Sequence, residues 1–352
     1  MSNPYQPQRK MLSQIRKCVK YIDEPWAVTP SLVEISPSGR CNHKCSHCMY
    51  ADSHDGSMLD WDSIRRLIED LAEMETKAII WSGGGEPLLS DVIYDGMSHA
   101  KNFSLKQGLN TNGYFLDDDA LAIKILQTHD WVRVSLDALT RKTYEKIHGV
   151  DHWDKVIDNI IHFTDLQREM NNWNCKIGVG IVASMHNWCE LTESRVKLLM
   201  DTLRLDNFQI KPSVRQEDWL DDWQFGYAMS KIKKIGKRYD KVSSTDYKWD
   251  AIGQTRTYDY CGAAHFLSYV DAKGDVYPCS SLQNDKKWIM GNINHESFKD
   301  IWYSPYRMIK VSNLDGERHE SLPYCPQACR GNEINKFLHE LTHSDVLHKE
   351  FI

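Results

Sequence analysis

The chain lacks what several large classes of protein require. No apolar run approaches the ~18 residues needed to cross a bilayer. Positive charge is not in excess, with 43 Lys and Arg against 49 Asp and Glu and a formal net charge of −6, so no basic field is available to hold a phosphate backbone. The segment from Met1 to Arg16 has no apolar stretch of the kind a secretory signal carries. Glycine (19) and proline (11) are too sparse for a collagen-like or low-complexity protein, and no internal repeat is visible. These absences exclude nucleic acid and membrane as first partners and predict a globular cytoplasmic protein. At 352 residues it has room for one large domain and a smaller one.

Cysteine is abundant. The ten are Cys18, Cys41, Cys45, Cys48, Cys175, Cys189, Cys261, Cys279, Cys325 and Cys329. In a reducing compartment such a set serves metal binding or catalysis in preference to disulfides. Cys41, Cys45 and Cys48 form C-x3-C-x2-C directly after the strand-like Leu32–Ile35. Three soft ligands on one loop suit three corners of a [4Fe–4S] cube whose fourth iron stays open. A structural zinc loop, with His43 or His47 as fourth ligand, is the alternative on spacing alone.

Beyond that loop, apolar periodicity alternates between helix and strand. Helices are predicted over Asp60–Met74, Asp91–Lys101, Asp117–Gln127, Trp153–Leu166 and Leu191–Leu203, and strands over Lys77–Trp81, Leu105–Leu109, Trp131–Leu136, Lys176–Ala183 and Phe208–Lys211. Six strand–helix units predict an α/β fold, a partial (β/α)6 barrel with functional groups at the C-terminal strand ends. From about Ser243 the pattern changes to a hairpin, Phe266–Val270 with Asp275–Tyr277, and a helix near Ser297–Trp302. The expected division is an N-terminal extension over 1–30, the barrel over 31–242, a small α+β domain over 243–335 and a helical tail over 336–352, with the polar stretch Lys233–Asp250 as linker.

The C-x3-C-x2-C motif at the first strand end, followed by Ser82-Gly83-Gly84-Gly85-Glu86-Pro87 at the second, resembles the radical S-adenosylmethionine enzymes. The resemblance implies that Cys41, Cys45 and Cys48 hold a [4Fe–4S] cluster whose open iron takes the amino and carboxylate groups of S-adenosylmethionine. It further implies that Gly83, Gly84 and Gly85 lie against the cofactor with Glu86 on its amino group, that Ser135 contacts its ribose or carboxylate, and that Asn112 stands at the third strand end. His47 occupies a position where an aromatic carbocycle is commoner. The second domain is similar to the SPASM and twitch extensions: Cys261 is followed after twelve residues by Gly274, and Gly274 after four by Cys279. Cys325 and Cys329 complete four thiolates for one auxiliary [4Fe–4S] cluster, which fits the shorter twitch form better; a zinc ribbon would use the same four.

The implied chemistry is reductive cleavage of S-adenosylmethionine by an electron from an external flavodoxin or ferredoxin, giving a 5′-deoxyadenosyl radical that takes a substrate hydrogen. A fully ligated auxiliary cluster suits electron transfer, hence dehydrogenation of a small, carbohydrate-like substrate. Epimerisation is the alternative. In that case a thiol returns the hydrogen, and Cys189, after the fifth strand, is the candidate catalytic donor. Peptide maturation ranks third, since only about thirty residues precede the first strand, too few for an independently stable peptide-binding domain. A non-enzymatic iron–sulfur or zinc protein is the reading from a different class, and the Gly83–Pro87 motif argues against it.

Overall fold

The computed structural model describes residues 7–213, 220–283, 285–314 and 325–343. In chain order the elements are α1 (Pro7–Leu12), α2 (Ile15–Asp23), β1 (Leu32–Ile35), α3 (Trp61–Glu73), β2 (Ala78–Trp81), α4 (Ile93–Asn102), β3 (Lys106–Thr111), α5 (Asp119–Thr128), β4 (Trp131–Ser135), α6 (Arg141–His148), α7 (Trp153–Glu169) and β5 (Lys176–Ala183). They continue with α8 (Glu193–Leu203), β6 (Asn207–Pro212), α9 (Asp222–Arg238), β7 (Val242–Ser243), α10 (Asp246–Trp249), β8 (Leu267–Val270), β9 (Asp275–Tyr277), β10 (Gly291–Asn292), α11 (Phe298–Tyr303), α12 (Pro305–Ser312) and α13 (Gly331–His343).

Strands β1 to β7 are parallel neighbours in sequence order, each of the first six followed by helix, as the alternating pattern requires. Helix α3 shows the local logic. Asp60 caps it by accepting from Ser63 N, and Ile64, Leu67, Ile68 and Leu71, at helical spacing, are all buried against the sheet. Strand β5, with Ile177, Val179 and Ile181 fully buried, runs through the centre of the core.

Two helices escape apolar periodicity. Helix α6 is set by its ends: Thr140 accepts from Thr143 N, and Gly149 closes it in the left-handed region at φ 67°. Helix α9 starts from a capping box of Asp221 and Gln224 and buries Ala228, Ile232 and Ile235. It occupies the first part of Lys233–Asp250, which is therefore no linker. The rest of that stretch holds β7, which pairs with β6, and α10.

The C-terminal part joins the barrel. Strand β8 pairs in parallel with β1, Leu32 opposite Leu267 and Ile35 opposite Val270, and β9 and β10 add antiparallel strands beyond it. Among the described residues one ten-stranded sheet results, in the order β10-β9-β8-β1-β2-β3-β4-β5-β6-β7. Helix α11 is tied to α3 by Asp70, which accepts from Phe298 N (2.7 Å) and Lys299 N (3.4 Å) at the α11 N-terminus. Trp302, fully buried, donates Nε1 to Val28 O at 2.9 Å. Of the expected tail over 336–352, α13 reaches His343, and 344–352 lie outside the described residues, as do 1–6 of the extension.

Candidate active site

The cysteine loop leaves β1 at Ser36 and is closed by its own base: Gly39 N donates to Ser57 O and Leu59 N to Pro37 O. Its middle rests on the C-terminus of α6. Lys44 N donates to His148 O at 2.9 Å and Ser46 N to Ile147 O at 2.8 Å, which satisfies helix-end carbonyls that have no partner within the helix. A Cβ at Gly149 would stand 2.7 Å from Lys44 O, so the close approach needs glycine as much as the helix cap does.

Cys45 meets His148 there, with Sγ 3.2 Å from Nδ1, while His148 Nε2 lies 3.0 Å from Leu136 O. The tautomer consistent with both contacts has Nε2–H donating to Leu136 O and Nδ1 accepting the Cys45 S–H. His43, Cys45 and His148 offer ligand atoms all within 4.8 Å of one another. Burial, and behind it His148 and His152, pushes His43 down to about 3. Asp137 is buried too, but His47, at 3.4 Å, outweighs the desolvation and with His148 holds the carboxyl at about 2. Burial pushes the Cys41 thiol up to about 11 and raises that of Cys45, with the neighbouring cysteine sulfurs adding to both. The free loop therefore keeps its thiols protonated, and iron binding would release protons. Sequence reading missed His148 and Asp137. Asp137 sits two residues beyond the strand-end Ser135; His148 has no spacing to the cysteines that would reveal it.

The glycine loop is laid directly on this one. Gly84 N donates to Ser36 Oγ (2.9 Å) and Glu86 N to Arg40 O (2.8 Å). Gly83 has φ 116°, and a Cβ on it would stand 2.5 Å from Ser36 Cβ; a Cβ on Gly85 would stand 2.1 Å from Arg40 O. The Glu86 carboxylate accepts from Leu88 N (3.2 Å), Thr111 Oγ1 (2.6 Å) and Asn112 N (2.7 Å), so of its roughly four lone-pair positions about one is left for a ligand. Burial pushes Glu86 up to about 7 even so. Asn112 is spent on structure: Nδ2 donates to Asn42 Oδ1 at 2.6 Å and Oδ1 accepts from Tyr114 N. Ser135 ends β4 opposite Gly180.

The other four thiols also converge. Cys261 precedes β8, Cys279 follows β9, and Cys325 and Cys329 lead into α13. After burial, the largest influence raising the Cys279 thiol comes from Cys329, Cys325 and Cys261. Donors face two of the sulfurs: Gly331 N at 3.1 Å from Cys329 Sγ and Asn335 Nδ2 at 3.5 Å from Cys261 Sγ. Such bonds orient ligands and tune a cluster. Of the cysteines outside the two sets, Cys18 and Cys175 are fully buried, whereas Cys189 is exposed on the short 3-10 helix Trp188–Glu190 beyond the C-terminal end of β5.

A model of the radical SAM superfamily matches residues 35–179, and a model of the SPASM iron–sulfur cluster-binding domain matches 261–330. The chain belongs to the radical SAM superfamily. Mycofactocin maturase MftC of Mycolicibacterium smegmatis is 22% identical over 280 residues, 74% of this chain and 67% of the relative. GTP 3',8-cyclase of Campylobacter fetus is 25% identical over 276 residues, 72% and 81% of the two chains. Among solved structures, Streptococcus suis SuiB bound to precursor peptide SuiA superposes with a TM-score of 0.65 at 16% identity, over 90% of this chain and 75% of that one. The peptide-free anSMEcpe with bound AdoMet gives 0.63 at 16% identity, over 88% and 96%. At these identities the superpositions show the fold. The two matched domains imply S-adenosylmethionine and two [4Fe–4S] clusters as cofactors.

The residues present fit these groups. Seven cysteines stand as one set of three and one set of four, and the loop beside the first set has backbone where any side chain would intrude. No helix among the described residues is long and apolar enough to cross a membrane.

Proposed function

We propose that this radical SAM enzyme oxidises an unactivated C–H position of a peptide or peptide-derived substrate. Cys41, Cys45 and Cys48 would hold the cofactor cluster, and Cys261, Cys279, Cys325 and Cys329 the auxiliary one. Bound at the three-cysteine loop, S-adenosylmethionine supplies a 5′-deoxyadenosyl radical as hydrogen abstractor. The residues of the chain do the rest: Gly83–Gly85 and the loop at Arg40 bring backbone against the cofactor, Glu86 turns its remaining lone pair toward the amino group, and the inner face of the barrel positions the substrate and excludes water.

The observation that carries oxidation is the four-thiol auxiliary set, built onto the same sheet through the β1–β8 pairing. Four protein ligands leave no iron open to substrate, which suits a site that receives an electron. The similarity to a mycofactocin maturase and to SuiB favours a peptide over the free sugar expected from the cysteine pattern. Epimerisation keeps one supporting observation, the exposed Cys189 at the C-terminal end of β5.

Product mass from a heavy-water reaction decides between the two. A product two hydrogens lighter than substrate, with Cys279→Ala halting turnover after 5′-deoxyadenosine forms and Cys189→Ala nearly silent, is the expected result. A product that differs from substrate by a single deuterium, lost in Cys189→Ala, would overturn it.

A further inference from the structure

The register of the sheet places one row of side chains on its inner face. Asn110 pairs with Arg133, Ser135 with Gly180, Gly180 with Gln209, and Val182 with Lys211, while the alternating Val132, Val134, Phe208 and Ile210 are buried against the helices. Gly180 makes room for Arg133, because a Cβ there would stand 3.1 Å from Arg133 Cδ. Lys248, on α10, reaches the same space.

Three cations thus meet inside the barrel with no anion left for them. Glu34 is taken by Arg330 at 3.3 Å, beside the auxiliary Cys329. Asp137 is taken by His47 and by Val182 N, which donates at 2.7 Å. Arg133 donates to the neutral Gln209 Oε1 at 2.5 Å. Among the described residues neither Lys211 Nζ nor Lys248 Nζ has a hydrogen-bond or ion-pair partner. Burial first, and then Arg133 and Lys248, push Lys211 down to about 7; burial first, and then Arg330, pushes Lys248 down to about 8. Each of these side chains is still half open to solvent. Crowded cations at this depth are costly until an anion arrives to pair with them. The auxiliary thiols account for Arg330 and press on Lys248, but no cysteine is among the groups acting on Arg133 or Lys211.

We propose that Arg133, Lys211 and Lys248 bind an anionic group of the substrate, a carboxylate or a phosphate, on the inner face of the barrel. This rests on the reading of the chain as a radical enzyme and names the chemistry of what it acts on. With the anion held by the strand-end cations, the rest of the substrate extends toward the cysteine loop, and a neutral analogue is discriminated against because it leaves the cations unpaired.

The test uses anaerobically reconstituted holoenzyme with S-adenosylmethionine bound, titrated calorimetrically with glutarate, inorganic phosphate and neutral glutaramide. The expected result is salt-sensitive binding of glutarate or phosphate and none of glutaramide; which anion binds tells a carboxylate from a phosphate. Lys211→Gln should weaken that binding at least tenfold, Lys211→Arg should restore most of it, and S-adenosylmethionine affinity and iron content should stay unchanged in both. Absence of anion binding, equal binding of glutaramide, or a parallel tenfold loss of S-adenosylmethionine affinity in Lys211→Gln would overturn the proposal. Failure of the radical reading shows separately, as no 5′-deoxyadenosine on reduction of a protein that still binds the anion.

Discussion

Gly85→Ala tests the contact on which the cofactor site is built. The added Cβ would stand 2.1 Å from Arg40 O, 2.7 Å from Arg40 C and 2.8 Å from Ser38 O, all backbone, so no side chain can swing away to relieve it. To reach ordinary contact the two loops must part by more than 1 Å, which breaks the 2.8 Å bond from Glu86 N to Arg40 O. Overpacking of this kind costs about 1–3 kcal/mol and the lost hydrogen bond about 1 kcal/mol, so a loss of about 2–4 kcal/mol is expected. Arg40 precedes Cys41, so the displacement also reaches the first cluster ligand, and iron should fall from about eight toward about four per chain as that cluster is lost. Urea unfolding of anaerobic protein, iron analysis and 5′-deoxyadenosine release are the measurements. Gly226→Ala is the control: Gly226 lies inside α9, exposed, with nothing within 4 Å of its added Cβ, so stability should rise by about 0.5–1 kcal/mol. A Gly85→Ala protein with wild-type stability and full iron would refute the argument.

Changing Cys41, Cys45 and Cys48 together to Ala should leave about four irons and abolish cofactor cleavage, read by iron analysis and 5′-deoxyadenosine release. Glu86, raised by burial to about 7, is disfavoured as the ion in the folded chain; in cofactor-free protein its contribution is present below the ordinary carboxylate range and is lost as pH rises toward 7. Glu86→Gln should flatten that part of the stability–pH profile, of order 3 kcal/mol in depth, and weaken S-adenosylmethionine binding in the loaded enzyme. Asp70→Ala removes the acceptor for the first α11 amides and should cost about 1–2 kcal/mol in a denaturant titration while leaving both clusters in place.

The sequence by itself determined the local features. Helix and strand periodicity set the α/β order, and C-x3-C-x2-C and Gly83–Glu86 fall at the ends of β1 and β2 because a strand is short and its end is marked by the residues that follow it. What periodicity could not carry is contact between segments far apart in the chain. The β1–β8 pairing joins residues more than two hundred positions apart, and strands that pair in parallel share no turn to announce them. Helix α6 escaped because its boundaries are written in a Thr cap and a glycine, while its apolar stripe is short. His148 under Cys45, and Arg133 beside Lys211 and Lys248, are likewise products of tertiary structure. In the sequence each is an isolated polar residue of ordinary type, and only the folded sheet, by bringing alternate residues of separate strands onto one inner face, makes a thiol partner of the first and a cationic site of the others.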